Sequence, residues 1–213
     1  MKIPVKLMPG RRVISGSLFA AACLAGCATI PPDNIENICD IFRERPAWYD
    51  AAKEASLRWK VPIPVMLAIV YQESRFDGAA YPPRTKVLGF IPWTRPSSAY
   101  GYAQALEETW EIYVQETGNT GADRDDFEDV LDFLGWFCHR SWLKCRISKQ
   151  DVYNLYLAYH EGQDGYNRHS YESKPWLMEV ARKVKRREML YRRQLSACWD
   201  ELENRESGGF LFF

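Results

Sequence analysis

VPIPVMLAIVYQESRF, residues 61–76, is the stretch from which the fold can be read. Pro62 and Pro64 suit the first turn of a helix, where a missing N–H costs nothing. Met66, Ile69 and Val70 follow at the i, i+3, i+4 spacing of a core-facing stripe. Glu73 lies one step further along that stripe, and Phe76 three residues beyond it. A carboxyl in line with a buried face has its charged form disfavoured, which raises its pKa. Such an acid keeps its proton near neutral pH and can hand it to a leaving group. The competing reading makes Glu73 an ion-pair partner near a helix end, with Arg75 as the cation.

Helical patterns surround this stretch. Asp33 or Asn34 can cap a first helix carrying Ile35, Ile38 and Phe42. A second, after Arg45-Pro46, presents Trp48, Ala51, Ala52, Ala55 and Trp59 on one face. The Glu73 helix is third, and Gly78 is its expected stop. Residues 81–98 place Pro82, Pro83, Pro92 and Pro96 around Phe90 and Trp93. They read as a long loop or small hairpin that either lines a groove or folds onto its own core. A turn at Gly101 leads into a helix ending near Gly118, and Phe127, Val130, Leu131, Leu134 and Phe137 mark another. Residues 138–145 read as a compact loop. Ser148 to Asp151 resembles a capping box for a helix with Val152, Leu155, Tyr156 and Tyr159 on one face, halted by Gly162. Ser173 and Pro175 open a last helix with Trp176, Leu177, Val180, Val184, Tyr191 and Leu195 as its buried stripe. Its other faces are crowded with Lys and Arg, which read as a solvated surface or as an attraction for anionic lipid or acidic peptides. The fold class is therefore mainly α, with one domain over residues 35–205 and a tail at 206–213.

The N-terminus carries Lys2, Lys6, Arg11 and Arg12, then a small apolar run too short to span a bilayer but suited to a signal peptide. It ends Leu24-Ala25-Gly26-Cys27, which resembles the lipobox of bacterial lipoproteins. The resemblance implies that residues 1–26 are removed, that Cys27 carries lipid, and that residues 27–34 tether the domain to a membrane. Ala28 after the cysteine implies the outer membrane, facing the periplasm. Removing residues 1–26 removes four of the 28 basic residues and none of the 28 acids, so the remainder is formally −4. Overall charge gives no sign of a nucleic-acid partner. Eight Trp and twelve Tyr suit a core, or a groove that stacks on sugars. Cys39, Cys138, Cys145 and Cys198 remain, and an even number in an exported chain suggests two disulfides with three connectivities open. The expected pairs are Cys138 with Cys145, closing a short loop, and Cys39 with Cys198, joining the first and last helices. A metal site around Cys138, His139 and Cys145 is the weaker alternative, because the spacing matches no familiar zinc pattern.

Three short motifs stand in order. Tyr71-Gln72-Glu73-Ser74-Arg75-Phe76, Gly101-Tyr102-Ala103-Gln104 and Leu157-Ala158-Tyr159-His160-Glu161-Gly162 resemble the three motifs of lytic transglycosylases with a soluble-transglycosylase-type domain. The likeness covers residues 48–171 and is nearest the endo-type, outer-membrane-anchored branch. Tyr102 and Ala103 replace the usual Leu-Met pair, His160 replaces Asn, and the 81–98 loop is longer than in many relatives. The resemblance implies a lysozyme-like fold and cleavage of the β-1,4 bond between N-acetylmuramic acid and N-acetylglucosamine, leaving 1,6-anhydro ends. It implies Glu73 as acid then base, with Ser74 and Gln104 hydrogen-bonding the sugar and Tyr102 contacting the glycan. Tyr159 would orient the Glu73 carboxyl through its hydroxyl. No cofactor or metal is called for, and the partner is the peptidoglycan strand. The alternatives are a goose-type lysozyme, which delivers water, and a non-catalytic cell-wall-binding lipoprotein.

Overall fold

Among the described residues the chain winds six α-helices around a buried one that runs from a proline-rich start to just past Glu73. The structure, a computed structural model, describes residues 30–82, 86–87, 91–92 and 97–208. The signal segment, Cys27, Phe90, Trp93 and residues 209–213 lie outside these. In order come α1 (Ile38–Glu44), α2 (Pro46–Trp59), α3 (Ile63–Ser74), α4 (Glu107–Thr117), α5 (Phe127–Cys145), α6 (Val152–Asn167) and α7 (Pro175–Gly208). A 3-10 turn, Ser170–Ser173, precedes α7. Between α3 and α4, β1 (Lys86–Val87) and β2 (Ile91–Pro92) pair antiparallel as a minimal hairpin. The architecture is mainly α, as the periodicity predicts.

The ends of these helices follow local chemistry. Asn37, rather than Asp33 or Asn34, caps α1, its side chain accepting from Cys39 N at 3.0 Å. Asp126 and Asp151 cap α5 and α6 in the same way, so Asp151 takes the role the capping-box reading divided with Ser148. Gly162 breaks the helical backbone at φ 70°, but the chain resumes helix to Asn167 beyond it. α7 runs on to Gly208, into the stretch read as a tail.

The third helix is buried more completely than a single stripe requires. Every residue from Ile63 to Val70 is buried, which marks a helix packed on all sides rather than an amphipathic one. α7 packs along α3, α6 and α1, while α2 lies against α5. Asp132 of α5 joins three elements, accepting from Trp59 Nε1 at 2.6 Å, the Tyr113 hydroxyl at 2.9 Å and Arg58 at 3.1 Å.

Two expectations about the cysteines separate here. A disulfide joins Cys39 of α1 to Cys198 of α7, with Cα atoms 6.2 Å apart. Cys138 and Cys145 are both free thiols. The segment between them is not a loop: α5 continues through it to the left-handed stop at Arg146. Seven residues of helix separate the two Cα atoms by roughly 10 Å along the axis, beyond the ~7 Å limit of a disulfide. Among the described residues, no cluster of three or more His, Cys, Asp or Glu could hold a metal ion.

The second motif forms a turn pinned to its neighbours. Gly101 N donates to Ala80 O at 3.1 Å and Tyr102 N to Arg124 O at 3.3 Å. Gly101 has φ +77°, and a Cβ there would stand 1.9 Å from the Arg124 carbonyl oxygen. Gly101→Ala is expected to lower stability by about 2 kcal/mol or more. A urea titration checks this, and an unchanged midpoint would show that the turn is free to shift.

Candidate active site

α3 ends abruptly. Arg75 and Phe76 both adopt left-handed backbone, with φ 57° and 64°. Such a conformation costs roughly 1–2 kcal/mol per non-glycine residue. Phe76 recovers it by burial: its ring is fully covered, with Trp48 stacked at 6.1 Å. The helix therefore stops before Gly78, whose place is set instead by Tyr102, packed where a Cβ would stand at 2.8 Å. This early stop leaves Glu73 in the last turn of an apolar helix.

Glu73 is half-buried as a residue, with its carboxyl set deep in the protein. Burial pushes its pKa up to about 7; the Tyr156 hydroxyl, a hydrogen-bond donor to the charged form, pulls the other way and loses. Among the described residues no ion pair involves Glu73. Arg75, the expected cation, lays its guanidinium over the Tyr71 ring at 4.4 Å instead.

The remaining candidates sit around this carboxyl in different roles. Ser74 is buried, and its hydroxyl donates to Val70 O at 3.4 Å. Gln104, with φ +50°, turns its amide nitrogen onto Ala80 O at 2.8 Å and Gly101 O at 3.0 Å. Tyr102 is 2% exposed, edge-on to Trp48 at 5.6 Å and to Phe127 at 5.1 Å. Rings from α2 and α5 pack against it and turn it into the core. Tyr159 donates its hydroxyl to Ala103 O at 2.6 Å, joining the third motif to the second.

These two motifs meet at a cleft of about 300 Å³ lined by Gln104, Phe137, Arg140, Tyr159, His160 and Gly162 among others. Glu73 does not line it but is an electrostatic neighbour of Tyr159, which does. A second carboxyl, Glu161, stands in the cleft wall. Burial pushes it up, yet hydrogen bonds from Lys174 (2.7 Å), Ser170 and His160 (3.0 Å) outweigh that and bring it down to about 2. Glu161 is therefore ionised at neutral pH and holds no proton to give, whereas Glu73 does.

Residues 16–198 match a family model described as a transglycosylase SLT domain. The chain belongs to this family. SLT domains are lytic enzymes of peptidoglycan, acting on its glycan strands. Comparisons with curated proteins and with solved structures gave no match.

The Tyr159 hydroxyl is engaged by Ala103 O, and the hydroxyl that lowers the Glu73 pKa against burial is that of Tyr156, one turn earlier on α6. Sequence reading placed Tyr156 on the buried stripe without a function. The signal was its hydroxyl, since a buried tyrosine O–H usually finds a partner. Tyr156→Phe removes a bond that stabilises the ionised form, so the Glu73 pKa is expected to rise further. The alkaline limb of kcat/KM should move to higher pH, and kcat should fall about tenfold, the worth of one hydrogen bond to a charged group. Tyr159→Phe should leave that limb in place, and a limb that moves with Tyr159→Phe but not with Tyr156→Phe reverses the assignment.

Proposed function

We propose that this SLT domain cleaves the β-1,4 bond between N-acetylmuramic acid and N-acetylglucosamine as a lytic transglycosylase, leaving a 1,6-anhydro end. The observation that supports this most directly is a carboxyl at the end of a buried helix, kept protonated to about pH 7 and, among the described residues, without an ion-pair partner. Glu73 protonates the leaving oxygen as the bond to C1 breaks. The C6 hydroxyl of the same muramic sugar then closes onto C1, and Glu73 takes its proton. No positioned water is needed, so a second carboxylate of the usual glycosidase kind has no task. Tyr156 holds the Glu73 carboxyl, and the cleft between the second and third motifs takes the neighbouring sugars. Cys27 carries lipid in this reading, and residues 27–34 tether the domain to the outer membrane.

Digestion of purified cell wall followed by mass analysis of the products tests the reaction. Anhydromuropeptides are expected. Products heavier by one water identify a hydrolase of the goose-type kind, and the absence of any product identifies a binding protein.

A further inference from the structure

His160 and Glu161 are neighbours in the wall of the cleft between the second and third motifs. The Glu161 side chain is 4% exposed, and burying an ionised carboxylate is costly unless donors surround it. Three do: Lys174 Nζ at 2.7 Å, the Ser170 hydroxyl, and His160 Nδ1 at 3.0 Å. Gly165 leaves room for this arrangement, since a Cβ there would stand 3.0 Å from Glu161 Cβ and 3.1 Å from the Ser170 hydroxyl oxygen. An ionised carboxylate has no hydrogen to share, so His160 must carry one on Nδ1. The neutral ring then keeps a bare lone pair on Nε2. Among the described residues that nitrogen has no protein partner, and the His160 side chain is 38% exposed. The Trp176 ring packs against the imidazole at 5.1 Å, nearly perpendicular to it, and limits its rotation. Other polar groups of the cleft are turned to the protein instead. The Gln104 amide nitrogen meets two carbonyls, the Tyr159 hydroxyl meets Ala103 O, and the Gln163 amide nitrogen meets the Ser141 hydroxyl at 3.3 Å.

We propose that His160 binds the glycan in this cleft, its Nε2 accepting a hydrogen bond from a hydroxyl or acetamido N–H of a sugar, and that Glu161 is the positioning residue that fixes the imidazole for it. The proposal rests on the peptidoglycan reading above. N-acetylated sugars are rich in hydrogen-bond donors and carry no charge, so an acceptor on a fixed ring suits them. Holding Nδ1–H on a carboxylate sets both the direction of the ring and which nitrogen is bare, as carboxylates behind metal-bound histidines do. The Glu161 carboxylate is covered, so it acts through His160 and not on the sugar. A carboxylate that only staples α6 to the start of α7 through Lys174 would act independently of His160.

The test is a double-mutant cycle of His160→Ala and Glu161→Gln. It is read by KM and kcat on purified cell wall, and by titration of the β-1,4-linked N-acetylglucosamine tetrasaccharide, which needs no cleavage. Each single variant should raise KM and weaken tetrasaccharide binding by about five- to tenfold, the worth of one hydrogen bond, with a smaller change in kcat. Glu161→Gln should add little in the His160→Ala background, because residues that act as one unit are not additive. 15N NMR of the parent should show His160 protonated on Nδ1 and bare at Nε2. A glutamine can donate to Nδ1, so Glu161→Gln should move that proton to Nε2. Loss of a structural staple would instead lower the folded fraction, and with it the apparent kcat, while KM stays in place. Unchanged KM and tetrasaccharide affinity in His160→Ala overturn the contact, even where Glu161→Gln fails to fold. Additive effects overturn the positioning role, and a parent protonated only on Nε2 overturns the acceptor. His160-dependent tetrasaccharide binding by a parent that cleaves no cell wall supports the contact while rejecting the reaction assigned to Glu73.

Discussion

Glu73→Gln is expected to lower release of anhydromuropeptides by about 10²- to 10⁴-fold, the usual worth of general acid–base help. Glutamine keeps the size of the side chain and can still meet Tyr156, but has no proton to transfer. The parent should lose activity as pH rises through about 7, where Glu73 ionises. Stability gives an independent check. The folded pKa is raised above the ordinary carboxyl value, so the folded state holds the extra proton between the two. The contribution is fully present below about pH 4 and is lost as pH rises through about 7. The loss is on the order of 3 kcal/mol at 1.36 kcal/mol per pKa unit. Glutamine does not titrate, so the melting temperature of Glu73→Gln should gain on the parent between pH 5 and pH 8. Near-parental turnover by the variant rejects the mechanism. A melting difference that stays flat with pH shows instead that the carboxyl is well solvated.

Opening the Cys39–Cys198 bridge is expected to have the largest effect on stability. The bridge spans 159 residues of sequence, almost the whole domain. The chain-entropy model assigns a closed loop of that length about 5 kcal/mol, against a total of about 5–15 kcal/mol for a typical domain. A paired Cys39→Ala, Cys198→Ala variant should therefore melt far below the oxidised parent, and a reductant should bring the parent down to meet it. Cys138→Ala should not do so through any cross-link, since that thiol is free. Equal denaturation midpoints with and without reductant would mean that the bridge adds nothing to stability beyond what helix packing already supplies.

The parts of the fold legible in sequence were those written in local chemistry. Pro62 and Pro64 announce α3, Gly118 ends α4 in left-handed backbone, and Pro175 starts α7. The segment 138–145 was misread because paired cysteines suggested a closed loop. Nothing in the spacing shows that the helix is kept going by Asp126 at its cap and by the apolar residues behind it. Gly78 was misread because a glycine looks like a stop, whereas the burial of Phe76 turns the chain two residues earlier. At the site, position 73 could be read from its stripe and motif. The division of labour between Tyr156 and Tyr159 could not. They lie one helical turn apart on the same face, and only the docking of α6 against the 101–104 turn decides which hydroxyl meets a backbone carbonyl and which meets the acid. Tyr102 was lost to the core for the same reason, because its neighbours Trp48 and Phe127 come from distant parts of the chain.

The bridge also decides how the domain bears load. A pull on residue 30 reaches Cys39 after peeling only the segment before it. That segment is itself clamped to α7, where the Tyr191 hydroxyl donates to Ile35 O and Ile38 N donates to Gln194 at 3.2 Å. From Cys39 the tension crosses a covalent bond into α7, late in the chain. Residues between the two cysteines, α3 and Glu73 among them, cannot be unravelled from the N-terminal end while it holds. A domain tugged from that side moves as one body, and the helix that carries Glu73 keeps its shape under strain.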